Sequence, residues 1–266
     1  MDKEYINILE NELTKKKLRD NTKRCYLSSF KRFFYSNRDS KNNDILNNLK
    51  SIKNKTELSQ VINSIRLIQD NNKNINIIPE DDLKSIIKNK SENRHKSYEP
   101  YELNDRLRRI NRIRDEKLRL AYRLMIVSGL RVFEVEALIK EDIEIKNNDI
   151  FVTVRDGKGG KYGEVKCLED KYLSNKLKNF LQDKDNDEKL FYATRTMQAK
   201  AQELGFKCHD LRRAYAKLVK KELMKELVEV NEDEKEKIIE EEVKAALRHS
   251  KFETSKKYLY SKRIKV

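Results

Sequence analysis

Prolines and glycines are scarce in this chain, whose 266 residues include 2 Pro and 6 Gly. Because these residues punctuate turns and loops, their scarcity argues against long irregular regions and favours a mostly helical protein. Long apolar runs are also missing, and none approaches the roughly 18 residues that cross a bilayer. The first segment, MDKEYINILENELTKKK, lacks the apolar stretch of a signal peptide. We therefore expect a cytoplasmic protein.

Patterns that bind metals or nucleotides are missing as well. The three cysteines, Cys25, Cys167 and Cys208, are odd in number and lack metal-ligand spacing, which favours reduced thiols. The sequence shows no Asp/Glu pair and no His/Cys set with the spacing of metal ligands. It also has no glycine-rich loop of the ATP-binding type. We expect neither a metal nor another cofactor.

What the chain has in excess is positive charge. Its 60 Lys and Arg against 45 Asp and Glu give a net charge of +15. Such an excess indicates a polyanionic partner, and nucleic acid is the leading one. A membrane surface fits less well, since no stretch combines a basic face with a large apolar one. Part of the charge is also consistent with the lysine bias of an AT-rich genome.

The hydrophobic pattern divides the chain into two helical parts. Residues 1–88 contain amphipathic stretches such as EYINILENEL, TKRCYLSSFKRFFYS and TELSQVINSIRLIQD, with Asn21 or Thr22 as a helix cap. Residues 89–97 are polar and predict a linker. Residues 98–266 are again mostly helical, except for DIFVTVRDGKGGKYGEVKCL, where β-formers flank a glycine-rich turn. The prediction is a mainly α, two-domain protein with a small β-hairpin or sheet.

Four separate segments of the second part carry side chains suited to phosphate chemistry. Arginine forks match phosphate oxygens, lysine and histidine move protons, and a tyrosine hydroxyl can attack phosphorus. Each residue alone has a commoner explanation as a surface, turn or core residue. Their order and spacing are more informative: Arg131 at a helix start, Lys158 in the glycine turn, His209 and Arg212 three apart, and His249 followed by Tyr258.

These segments resemble the boxes of the tyrosine recombinases, the phage-integrase family. SGLRVFEVEAL resembles the Gly-Leu-Arg-x-x-Glu-leucine box at Arg131 and Glu134, and HDLRRAYA resembles the His-x-leucine-Arg box. LRHSKFETSKKYLY resembles the leucine-Gly-His-Ser … Thr … Tyr box, and GKGGK is similar to the hairpin turn that carries the family's lysine. The first part, with NTKRCYLSSFKRFF, is similar to the core-binding domain. The resemblance covers nearly the whole chain.

The resemblance implies a site-specific recombinase with a core-binding domain at 1–88 and a catalytic domain at 98–266. Tyr258 would attack a scissile phosphate in double-stranded DNA to give a 3′-phosphotyrosine, with a homodimer on one site and a tetramer in the synapse. Arg131, Arg212 and His249 would hold the phosphate, Lys158 would protonate the leaving 5′-oxygen, and His209 would exchange a proton with the tyrosine. The domains of this family clamp the duplex between them. A hairpin-forming telomere resolvase, a type IB-like topoisomerase and a non-catalytic DNA-binding protein remain alternatives.

Three departures from the family pattern need explanation. Arg248 stands where the box has Gly, and the spacing from Arg212 to His249 is longer than expected. The extra length is acidic (222–242) and predicts either a hydrated helical hairpin or a contact to a neighbouring protomer. Only eight residues follow Tyr258, so we expect a short or absent docking helix.

Two details of local structure complete the prediction. Tyr258 and Tyr260 are two residues apart and would point about 200° away from each other on a helix. Spacing from His249 selects Tyr258 as the nucleophile, which leaves packing or a phosphate contact to Tyr260. We expect Thr254 to cap the helix of Tyr258 and Asp210 to cap the helix of Arg212.

Overall fold

The structure is a computed structural model that describes residues 4–37, 42–72, 75, 77–91 and 101–266. The chain divides into two compact units, Met1–Ser97 and Tyr98–Val266. The prediction of a mainly helical protein with a small sheet is confirmed. Part of the predicted linker is helical, since residues 89–91 continue the last helix of the first unit, and residues 92–97 lie outside the described residues.

The first unit packs helices around an apolar centre. Ile62, Leu9, Phe30 and Leu49 are among its fully buried side chains. Residues of the long fourth helix follow a 3.6-residue period, so one face is buried along its length. The helices are α1 (Glu4–Lys15), α2 (Asp20–Ser36), α3 (Asn42–Ser51), α4 (Lys55–Asn71) and α5 (Glu80–Ser91).

The expected cap of α2 is wrong. The helix begins at Asp20, and Arg19 occupies the capping position without a side-chain hydrogen bond. Asn21 and Thr22 therefore lie inside the first turn. A side-chain cap occurs instead on α4, where the Asn54 carboxamide accepts hydrogen bonds from the next turn's backbone.

The second unit places helices around a larger core. Its centre is α7, which is buried on nearly every side and ends at Gly129 with a left-handed φ of 63°. A Cβ at Gly129 would lie 2.2 Å from the Tyr215 ring, so only glycine allows this turn. No helix among the described residues is long and apolar enough to span a membrane. The helices are α6 (Leu103–Asn111), α7 (Glu116–Ser128), α8 (Val132–Glu136), α9 (Lys171–Gln182), α10 (Thr194–Glu203), α11 (Cys208–Glu226), α12 (Glu232–Ala246) and α13 (Phe252–Leu259), with a 3₁₀ turn at Lys140–Asp142.

A three-stranded antiparallel sheet interrupts these helices. The predicted hairpin is present as β3 (Asp149–Val154) and β4 (Gly163–Lys166), and a strand that sequence reasoning missed, β2 (Ile143–Lys146), pairs with β3. The two-residue turn between β2 and β3 is Asn147-Asn148, both with positive φ. Asn tolerates this conformation, which matches the twist of a hairpin.

The chain end folds back onto its own unit. Strand β5 (Ile264–Lys265) pairs in parallel with β1 (Tyr101–Glu102), the first strand of the unit. Lys217 on α11 donates a hydrogen bond of 2.6 Å to the Ile264 carbonyl, and Arg263 lies 3.3 Å from the buried Asp210 carboxylate. The segment after Tyr258 is therefore held by α11 and β1 of the same chain.

Candidate active site

Two side chains from separate helices meet at the centre of the site. The Tyr258 hydroxyl on α13 lies 2.6 Å from Nε2 of His209 in the first turn of α11. Their rings are 5.0 Å apart, and the tyrosine is buried whereas the histidine is exposed at the rim. Helices α11 and α13 pack through Tyr215, Ala216 and Leu259, which fixes the tyrosine against the histidine.

His209 is suited to accept a proton. Although part of the ring is exposed, its Nε2 faces the buried Tyr258. Desolvation is the first cause that lowers its pKa from 6.5 to about 4, and the positive charges of Arg213 and Arg212 follow. The imidazole is therefore neutral at pH 7. A neutral histidine within hydrogen-bond reach of a tyrosine hydroxyl can take the proton as the hydroxyl attacks.

Arg212 is the buried cation beside Tyr258. It is 1% exposed, and its guanidinium donates to the carbonyls of Gly129 and Leu247. It therefore joins the end of α7 to the end of α12. Burial and the neighbouring charge of Arg131 lower its pKa to about 10, so it stays cationic at pH 7. A buried, fixed cation with its centre 5.7 Å from the Tyr258 ring can stabilise negative charge developing there.

The hydrogen bonds of His249 determine its tautomer. Nη2 of Arg212 lies 3.2 Å from Nε2 of His249, and arginine only donates, so Nε2 accepts. The proton then belongs on Nδ1, which lies 2.9 Å from Oγ of Ser255 on α13. Burial and the charges of Arg212 and Arg131 lower the pKa of His249 to about 3. The neutral ring thus links α11 to the helix of Tyr258.

Arg131 occupies the position before α8. Its backbone N–H donates 2.8 Å to Oε2 of Glu134, and its Nη1 donates 2.9 Å to Oε1 of the same carboxylate. These two hydrogen bonds close the first turn of α8 and hold the partly exposed guanidinium of Arg131 at the start of the helix. Its charge helps to lower the pKa values of His209, Arg212 and His249, so it belongs to the same electrostatic cluster.

The predicted lysine is less tightly placed. Lys158 is exposed in the turn between β3 and β4, and makes no hydrogen bond or ion pair with any other described residue. Gly159 and Gly160 have φ of 83° and 75° and nothing near their Cβ positions, so the turn tip is open. In contrast, Nζ of Lys161 donates to the Arg248 carbonyl (3.2 Å) and to Oγ of Ser250 (3.1 Å).

Solved structures of known proteins share this arrangement of helices and sheet. No family model and no curated relative matches the chain. A lambda integrase tetramer bound to a Holliday junction matches with a TM-score of 0.65 and 13% identity, covering 97% of this chain and 77% of the other. A Tn1549 transposon integrase in complex with circular intermediate DNA has a TM-score of 0.64 and 12% identity, covering 96% and 94%. XerH recombinase bound to its difH substrate has a TM-score of 0.56 and 19% identity, covering 90% and 74%. The chain has the fold of the tyrosine recombinases.

Two of the expected helix caps are wrong within this tyrosine-recombinase fold. Asp210 lies inside the first turn of α11, which begins at Cys208, and its buried carboxylate binds Arg213 and Arg263. Thr254 lies inside α13, whose capping position is Lys251 without a side-chain hydrogen bond. Neither side chain caps its helix, because both helices begin earlier in the chain than expected.

Tyr260 points away from the site, as the helical spacing predicted. Its hydroxyl lies 3.0 Å from Glu236 and 3.4 Å from Glu240 on α12. Partial burial and these carboxylates raise its pKa to about 12. Of the two expected roles, these contacts with α12 favour packing, because the carboxylates that accept from the hydroxyl would repel a phosphate.

The acidic segment 222–242 forms the end of α11 and most of α12, separated by the turn around Leu227–Val230. Most of its acidic side chains face solvent, whereas Ile239 and Val243 pack with Leu259 of α13. The segment is thus a hydrated helical hairpin whose inner face covers the helix of Tyr258.

Sequence reasoning missed three residues that touch the site. Ser255 accepts a hydrogen bond from Nδ1 of His249, Arg213 lies over the Tyr258 ring at 5.8 Å, and Lys161 holds the loop beside His249. Ser255 could have been found, because it lies three residues before Tyr258 and hence on the same helix face. Arg213 and Lys161 carry no such signal in a chain this rich in basic residues.

Proposed function

We propose that this protein is a site-specific DNA recombinase that cuts and rejoins strands through a 3′-phosphotyrosine. The observation that carries the proposal is the buried Tyr258 hydroxyl, 2.6 Å from a neutral His209 and beside the fixed cation of Arg212. A nucleophile, a base and a charge stabiliser within one cluster are what phosphoryl transfer from DNA to a tyrosine requires.

In the proposed cleavage step, the Tyr258 oxygen attacks the scissile phosphorus and His209 takes the phenol proton. The bond from phosphorus to the 5′-oxygen breaks as the new bond to tyrosine forms. Lys158 gives a proton to the departing 5′-oxygen, so the cut strand ends in a hydroxyl. Arg131 and Arg212 bind the non-bridging oxygens, with His249 holding Arg212 and α13 in place.

Rejoining reverses these steps with a 5′-hydroxyl from another strand. One phosphodiester is exchanged for another at each step, so the reaction needs no external energy source. Exchange between two duplexes involves four cleavages, which suits a dimer on each site and a tetramer in the synapse. The net charge of +15 suits binding to the DNA backbone, which we expect to weaken steeply with salt.

A selection on DNA tests the proposal directly. The purified protein is incubated with a pool of nicked duplexes carrying a randomised central segment, and covalent complexes are recovered under denaturing conditions and sequenced. We expect an adduct with one family of sites, its loss in Tyr258→Phe, and its retention in the matched control Tyr260→Phe. An adduct that persists in Tyr258→Phe would contradict the assignment of the nucleophile.

The products distinguish related activities. Recombinant duplexes support the proposed function, whereas hairpin ends or relaxed circles would indicate a resolvase or a topoisomerase with the same chemistry. Site-specific binding without any adduct would indicate a non-catalytic DNA-binding protein.

A further inference from the structure

We propose that Arg248 is a positioning residue of this site, which holds Arg131 in place by sharing the Glu134 carboxylate with it. The inference rests on the proposed function and concerns the residue that departs from the family box. Arg248 Nη2 donates 2.8 Å to Oε2 of Glu134, across 114 residues of chain. The Arg248 side chain is 15% exposed and that of Glu134 is fully buried.

A buried carboxylate has to be compensated by charge and hydrogen bonds. Burial alone would raise the pKa of Glu134, but the Arg131 backbone N–H and the charges of Arg248 and Arg131 bring it below its usual value. With Arg131 as the sole partner, one carboxylate would cancel one guanidinium. With Arg248 added, the three groups carry a net charge of +1, which leaves positive charge for a phosphate.

The backbone of Arg248 adopts a conformation that residues with a Cβ disfavour. Its φ of 51° lies in the left-handed region, which among the other described non-glycine residues only Asn147 and Asn148 adopt. Glycine, the residue of the family box, adopts this conformation freely, whereas a residue with a Cβ does so at a cost. The ion pair with Glu134 offsets that cost.

A third segment packs against the same ion pair. A Cβ at Gly157 would lie 3.2 Å from Oε1 of Glu134, 3.5 Å from Nη1 of Arg248 and 2.8 Å from the Lys161 carbonyl. Gly157 directly precedes Lys158, and Arg248 directly precedes His249. The pair therefore joins the start of α8, the hairpin turn and the loop before α13, each of which carries a proposed catalytic residue.

Arg248→Gly is the informative variant, because it removes the ion pair while suiting the left-handed backbone. On the duplex recovered by the selection, at saturating protein, we expect single-turnover cleavage to fall about 10- to 100-fold, as small misplacements of catalytic groups do. DNA affinity and the unfolding midpoint should stay close to the parent's. Arg248→Lys should recover part of the rate, and Lys166→Gln, which removes a charge from an exposed ion pair of the same hairpin, should cleave within about twofold of the parent.

A double-mutant cycle asks whether Arg248 acts through Glu134. In a Glu134→Gln background, Arg248→Gly should change cleavage by less than about threefold, because the carboxylate it compensates is gone. A second arm replaces the scissile phosphate by a neutral methylphosphonate, which needs less positive charge from Arg131. The loss in Arg248→Gly should shrink to within about threefold on that substrate. This arm does not depend on the folding of the Glu134 variant.

The outcomes separate this inference from the proposed function. If the parent forms no adduct at all, the proposed function fails. If the parent cleaves and Arg248→Gly matches it on native phosphate, the role of Arg248 is overturned while the function stands. Equal losses in both Glu134 backgrounds would also overturn it, because Arg248 would then act independently of Glu134.

Discussion

The helices α11 and α13 and the turn between β3 and β4 present proposed catalytic groups in opposite ways. On the helices, Tyr258 is hydrogen-bonded to His209 and packs in an apolar cluster, and the buried Arg212 is held by the Gly129 carbonyl. On the turn, Lys158 is exposed and is followed by two glycines with open space around them. The groups on the helices are therefore assembled in the free protein, whereas Lys158 in the turn is only weakly constrained.

This difference has a chemical counterpart. Attack and charge stabilisation require fixed geometry and a water-poor setting, which packed helices supply. Protonation of the leaving oxygen requires a long side chain that can follow the DNA strand, which an open turn supplies. The comparison therefore predicts that changes to buried groups on the helices affect both stability and chemistry, whereas changes at the exposed rim or in the turn affect chemistry alone.

The largest effect should come from Arg212→Gln. Cleavage should fall by at least about 1,000-fold, because the stabilising cation is lost. Unfolding should require about 2–4 kcal/mol less free energy, because the Gly129 and Leu247 carbonyls lose their buried donor. Single-turnover cleavage and denaturant unfolding measure both quantities. Arg108→Gln, which breaks an exposed ion pair with Asp105, is the stability control and should change little.

Replacing the base should separate chemistry from stability on the helices. His209→Gln should slow adduct formation about 100- to 10,000-fold, since Tyr258 loses its proton acceptor. Because the ring lies at the exposed rim, the unfolding midpoint should hardly move. Cleavage within tenfold of the parent would mean that another group accepts the proton.

In the turn, Lys158→Ala should slow cleavage about 100-fold while changing the free energy of unfolding by less than about 0.5 kcal/mol. The deficit should nearly vanish on a duplex whose leaving 5′-oxygen is replaced by sulfur, because a thiolate departs without a proton. The matched variant Lys161→Ala should lose less than about tenfold, and equally on both substrates. If the sulfur-containing duplex instead restored the cleavage rate of Lys161→Ala, Lys161 would be the residue that protonates the leaving oxygen.

The smallest expected effect is a pH dependence of the free energy of unfolding. It arises from His249, which links α11 to α13. His249 has a pKa of about 3 in the folded protein against 6.5 for an unperturbed histidine, so the unfolded chain takes up the proton first. The stabilisation is complete above pH 6.5 and is lost as the pH falls towards 3. Between pH 7 and 5 we expect His249 to contribute a loss of about 2 kcal/mol, or about 4–8 °C in the melting temperature of the DNA-free protein. Scanning calorimetry should show a flatter profile for His249→Asn, and an equal slope in both proteins would contradict this origin.

The parts of the fold that follow from local patterns were predictable from the sequence. The 3.6-residue period gave the long helices, and β-formers flanking a glycine turn gave the hairpin. The strand β2 was missed, because the four residues IEIK are too short to signal a strand without the neighbour they pair with. The caps at Asp210 and Thr254 were wrong, because a cap depends on where the backbone first turns helical, and the Asp210 carboxylate is used by Arg263, 53 residues away.

For the candidate site, order and spacing predicted six residues, and the structure draws five of them into one cluster while leaving Lys158 at its open edge. The partners of those residues were beyond sequence reasoning. Arg248 binds Glu134 across 114 residues, and nothing near either residue indicates the other. Similarly, the tautomer of His249 follows from its two neighbours in space, Arg212 and Ser255, rather than from its place in the chain.

The attachment of the chain end gives α13 a mechanical role. In the proposed reaction, the covalent bond to Tyr258 is for a time what retains the cut strand, so twisting or pulling of the DNA loads this eight-residue helix. On its far side the load reaches β5, whose ladder with β1 and bond from Lys217 transfer it to α11. In that reaction, this attachment would limit how far the broken strand can be carried before it is rejoined.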